Sequence, residues 1–89
     1  MNAEDKKKFR SQAKNLRPFI IISKSGISDN VIENISKNLK ANKLTKIKLL
    51  KEYVDSVEQD KKELAQMIAE KTKSELIDQV GQMIVLYKR

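Results

Sequence analysis

The chain has 89 residues, 19 Lys/Arg against 12 Asp/Glu, a net charge of +7, and neither cysteine nor histidine. At this length it forms one small domain, residues 1–89, burying about 60–65% of its unfolded surface. Its composition excludes disulfides and thiolate or imidazole metal sites, and removes the commonest general base. No apolar stretch reaches the roughly 18 residues of a membrane span. The opening Met-Asn-Ala-Glu-Asp-Lys-Lys-Lys lacks the apolar core of a signal peptide. A soluble, cytoplasmic protein is expected, and the absence of cysteine fits a reducing compartment.

Residues 4–16 read as a helix, with Phe9, Ala13 and Leu16 on one face and Lys6, Lys7, Arg10 and Lys14 spread over the others. Pro18 ends it, because a residue before proline is pushed away from helical angles. Phe19–Ile22 is apolar and rich in β-branching, which predicts a buried strand with Phe19 in the core. The strand runs into Ser23-Lys24-Ser25-Gly26, a small polar turn with a lysine at its tip. Ser28 then serves as N-cap, with Asp29 in the first helical turn. Such a junction points backbone N–H groups and a positive helix end outward, an arrangement suited to a phosphate. As an isolated tetrapeptide the turn would be an ordinary connection.

Val31, Ile32, Ile35 and Leu39 recur at helical spacing, opposite Asn30, Glu33, Lys37 and Lys40, and Asn42 stops the helix. Residues 43–50 alternate, with Thr45, Ile47 and Leu49 on one face and Lys46 and Lys48 on a wet, basic one. Ser56 and Gln59 resemble a capping box for a helix whose stripe is Leu64, Ala65, Ile68 and Thr72. Residues 75–80 and 82–88 read as an antiparallel pair turning at Gly81. The order α-β-α-β-α-β-β predicts an α/β two-layer sandwich with a four-stranded mixed sheet and the two middle helices on one face.

Charge is unevenly placed. Residues 1–51 hold 13 Lys/Arg and 4 Asp/Glu, a net of +9, whereas residues 52–89 hold 6 and 8, a net of −2. A solvated lysine surface is one explanation, but an asymmetry this large points to a polyanionic partner. Lys14, Arg17, Lys37 and Lys40 are candidate contacts with Ser23, Lys24, Ser25 and Gly26, Arg17 ranking lower because the strand separates it from the turn. Stacking on the sheet lacks aromatics: Phe9 and Phe19 read as core, and Tyr87 as a packed residue of the last strand. Phosphate and groove contacts are favoured instead. Glu52, Asp55, Glu58 and Asp60 lack the spacing and glycine of a calcium loop, so no catalytic site, metal or cofactor is expected.

Four pieces in register resemble the chloroplast RNA splicing and ribosome maturation (CRM) domain in its bacterial stand-alone YhbY form. They are Leu16-Arg17-Pro18, Ile22 to Ser28, Leu44 to Lys48, and Val80 to Lys88. The resemblance implies an RNA-binding fold similar to the C-terminal domain of translation initiation factor three. It also implies association with large-subunit ribosomal precursors. A monomer acting on ribosomal RNA, with no membrane or small-molecule substrate, is therefore expected; a basic adaptor docking on acidic proteins is the alternative. Two positions depart from the family pattern. Ser23 stands where the turn usually has its first glycine, and Lys73 where glycine usually follows the third helix. Serine sacrifices backbone clearance and adds a hydroxyl; lysine at 73 needs a chain that avoids or tolerates a left-handed cap.

Overall fold

The computed structural model describes residues 3–23, 26–57 and 60–88. In chain order these form α1 (Ala3–Ala13), β1 (Ile20–Ile22), α2 (Asp29–Asn42), β2 (Leu44–Leu49), α3 (Lys51–Ser56), α4 (Lys61–Lys71), β3 (Glu75–Val80) and β4 (Met83–Tyr87). The sheet order is β1-β2-β4-β3, with β1 parallel to β2 and the other neighbours antiparallel. The four-stranded mixed sheet and its helices are thus as expected, with one short helix, α3, inserted before α4.

The main core lies on one sheet face. Ile22, Ile47, Leu49, Ile84 and Leu86 meet Ile35 and Leu39 of α2, Tyr53 of α3, and Leu64 and Ile68 of α4. Burying a side chain of this kind contributes about 1.5–3 kcal/mol each. A smaller cluster lies on the other face, where Ala13 meets Ile77 and Val85, with Phe9, Leu44 and Tyr87 packed around them. Phe9 and Tyr87 stack there, their ring centroids 4.1 Å apart. The two-layer sandwich therefore carries α1 as a partial third layer. The β3 register shifts between Leu76 and Asp78, so that Ile77 joins the smaller cluster beside Val85 while Asp78 pairs with Val85 and reaches Arg10 of α1.

Four local expectations change. Helix α1 stops at Ala13, three residues short of Leu16, and Lys46 Nζ donates to the carbonyls of Ala13 (3.3 Å) and Leu16 (3.4 Å). Lys46 is thus a tether for the α1 terminus, not a free cation on an open sheet. The β1 segment is a three-residue edge strand, so only the Ile20 and Ile22 side is covered; Phe19 is 46% and Ile21 53% exposed. An edge strand with period-two alternation buries one side only, which is why Phe19 leaves the core. Asp60, not Ser56, caps α4, its Oδ1 accepting from Lys62 N–H at 2.8 Å. Ser56 instead ends α3 and donates to the Tyr53 carbonyl at 2.8 Å. Gln59, the other half of the expected capping box, lies outside the described residues.

Candidate nucleic-acid interface

The β1–α2 junction is fixed from both sides. Ile22 pairs with Leu49, and its carbonyl accepts from Leu50 N–H at 2.9 Å. Gly26 N–H donates to the Ser23 carbonyl at 2.8 Å, closing the segment into a turn. Lys24 and Ser25, within that turn, lie outside the described residues. Gly26 adopts φ +80°, a left-handed angle open to glycine and strained for a side chain. A Cβ at this position would stand 3.1 Å from Tyr53 Cε1. The ring of Tyr53, itself buried, thus forms the floor on which the turn rests. Burial also raises the Tyr53 hydroxyl above its ordinary pKa.

After the turn, Ser28 holds extended backbone and its Oγ accepts from Val31 N–H at 3.2 Å. This satisfies one of the four free N–H groups of the α2 start. Asp29 sits in the same turn and opposes some of the positive helix end.

The other predicted contacts are distributed along β1 and α2. Because β1 and β2 are parallel, α2 must return along them, carrying its later residues to the opposite end from Gly26. Lys37 and Lys40 lie about 14 and 18 Å along the helix from Ser28, at 1.5 Å per residue. Lys37 Nζ pairs with Glu33 Oε1 at 3.4 Å, an exposed i,i+4 pair. Lys40 occupies the last turn, where a cation complements the helix dipole. Arg17 shares a groove with Asn38 and Asn42 of α2, at the entry to β1. Lys14 lines a second groove across α1, with Arg10 and Asp78, whose Nε and Oδ2 are 3.2 Å apart. The structure therefore places the turn at one end of β1, Arg17 and the end of α2 at the other, and Lys14 beside α1.

Sheet order gives the charge asymmetry a spatial meaning. Residues 20–49, which form β1, α2 and β2, hold 6 Lys/Arg and 2 Asp/Glu, a net of +4; residues 1–19, whose helix α1 packs against β2, β3 and β4, hold 6 and 2, again a net of +4; β4, β3 and α4 come from the −2 half. Among the described residues no group of three or more Asp or Glu gathers into a metal site. Nor is any described helix long and apolar enough to cross a membrane.

A model of the CRS1/YhbY (CRM) domain matches residues 1–88. The chain belongs to this family. It is 33% identical over 88 residues to "Probable RNA-binding protein YqeI" of Bacillus subtilis, covering 99% of this chain and 88% of that one. It is 26% identical over 89 residues to "Probable RNA-binding protein PA4753" of Pseudomonas aeruginosa, covering 100% and 82%. In structure it is similar to the solution structure of hypothetical protein SAV1595 from Staphylococcus aureus, with a TM-score of 0.80 and 36% identity over 100% of this chain and 88% of that one.

In this CRM domain the departure at Lys73 is accommodated by a left-handed cap. Lys73 has φ +54° and its N–H donates to the Glu70 carbonyl at 3.2 Å, while Ser74 N–H donates to Ala69 at 2.9 Å. These are the two bonds of a Schellman motif, with lysine where glycine is easiest. Three residues of the region were not expected there from the sequence: Tyr53 against Gly26, and Phe19 and Asn38 in the groove with Arg17. Phe19-Ile20-Ile21-Ile22 is apolar throughout, so no alternation in the sequence marked Phe19 as exposed. Tyr53 had no signal either, since only the folded chain brings α3 beneath Gly26.

Proposed function

We propose that this domain is a non-enzymatic RNA-binding module that engages structured ribosomal RNA of large-subunit precursors and assists their assembly. The observation that carries the reading is the net charge of +4 that residues 20–49 bring to β1, α2 and β2, with the Gly26 turn at one end. The names of the two relatives agree with RNA as the partner. N–H groups at the start of α2 would meet phosphates, and Lys24, Lys37, Lys40, Lys14 and Arg17 would supply charge around them. Contacts of this type position the protein on an RNA by its backbone and shape.

A titration of the purified domain against a large-subunit ribosomal RNA fragment, a shuffled RNA of equal length and an acidic protein tests this reading. The expected outcome is tightest binding to the ribosomal fragment, with sedimentation of the tagged protein alongside large-subunit precursors. Equal or tighter binding to the acidic protein would favour the adaptor alternative.

A further inference from the structure

The groove at the entry to β1 has a composition that phosphate binding does not explain. It has a volume of about 480 Å³ and is bounded by Arg17, Phe19, Asn38, Asn42 and Lys46. Strand β1 pairs only with Ile47–Leu49, so the first half of β2 has no strand neighbour on that side and the groove stays open. Phe19 stands at its wall. Its N–H donates to the Lys46 carbonyl at 2.8 Å, which fixes the backbone, while the side chain is largely exposed. A single exposed aromatic is ordinary; one facing a pocket with a guanidinium and two amides is a stacking platform with an edge reader.

The polar groups offer both donors and acceptors, because the amides of Asn38 and Asn42 do both. Asn38 Oδ1 accepts from the hydroxyl of Thr45, which is 1% exposed, and this bond orients the amide. Arg17 and Lys46 carry donors only. Lys46 already gives two of its three N–H bonds to the end of α1. The edge of any base can pair with such a lining, which therefore fits a base without choosing among them. The volume lies within the range of about 300–1,000 Å³ usual for small-molecule sites. An acidic peptide would use the donors and leave the Phe19 ring idle.

We propose that this groove holds one unstacked base from a single-stranded stretch of the bound RNA, stacked on Phe19 with its edge towards Asn38 and Arg17. The proposal rests on the RNA-binding reading above and adds to it a base-stacking site at the far end of β1 from residues 23–26.

Fluorescence anisotropy with labelled oligouridylate and oligoadenylate of about eight nucleotides, and with a loop-free RNA duplex, tests it. Phe19→Ala should weaken binding of both oligonucleotides about tenfold, within the range for one lost base stack. Phe19→Tyr should retain affinity, and duplex binding should stay within about twofold in both variants. Unchanged oligonucleotide affinity in folded Phe19→Ala would overturn the base site and leave duplex binding as evidence for the broader reading. Failure of the parent domain to bind any of the three RNAs would overturn both. A Phe19→Ala change confined to sedimentation behaviour would assign the groove to a second copy of the chain and also overturn it.

Discussion

Gly26 lies directly over the ring of Tyr53: a Cβ on the glycine would approach Tyr53 Cε1 to 3.1 Å, and the glycine's φ is +80°. This contact joins the turn between β1 and α2 to a short helix 27 residues later in the chain. Turn geometry is thus set by tertiary packing as well as by local sequence.

Gly26→Ala should therefore cost about 2 kcal/mol, from left-handed strain and from crowding against a ring that cannot retreat from the core. Urea unfolding measures it. In the double variant with Tyr53→Leu the crowding disappears and the strain remains. The combined loss should fall short of the sum of the two single losses by about 0.5 kcal/mol or more. Strict additivity would mean that Tyr53 does not shape the turn.

Lys73→Gly should stabilise the domain by about 0.5–1 kcal/mol. The Schellman bonds from Lys73 and Ser74 are already in place, and glycine removes the Cβ cost of φ +54°. The greater freedom of glycine in the unfolded chain offsets part of the gain. Thermal melts give the sign directly.

Lys46→Met keeps the apolar stem and removes the two bonds from Nζ to the Ala13 and Leu16 carbonyls. Both bonds are long, so the expected loss is about 1 kcal/mol. Amide exchange should speed up at the end of α1 and in residues 14–16, and stay unchanged in α4. Uniform protection along α1 would show that the tether is incidental.

Much of this fold was legible in the sequence because its signals were periodic. The Ile35 and Leu39 stripe, the Thr45-Ile47-Leu49 alternation and the Gly81 turn each specify an element and a buried face by themselves. Prediction failed where two or more elements must meet before a residue's role is defined. Lys46 looked solvent-facing until α1 was laid across that face, and Phe19 looked buried until β1 became an edge. For the candidate site, the turn was visible as a motif. Its floor, Tyr53, and the separation of Arg17 from Gly26 by the length of β1 are properties of the assembled sheet.

Alkaline stability should depend on Tyr53. Burial raises its folded-state pKa, so the hydroxyl stays protonated in the folded domain while the unfolded chain ionises near pH 10. The sign follows: this group leaves stability unaffected below the unfolded pKa and reduces it as pH rises above about 10. Tyr53→Phe removes that contribution. Unfolding free energy of the parent should fall more steeply than that of Tyr53→Phe between about pH 9.5 and 11, and parallel curves would place the hydroxyl in solvent.

The salt dependence of RNA affinity tests the central claim most directly. If about 3–5 phosphates are neutralised by the basic side of the sheet, log affinity should fall against log salt with a slope of about −2 to −4. Lys24→Ala should reduce that slope by about 0.7–0.9, one phosphate contact, and weaken binding by about 1 kcal/mol in a folded variant. Affinity for a large-subunit ribosomal RNA fragment that stays flat between about 50 and 200 mM salt would contradict the account.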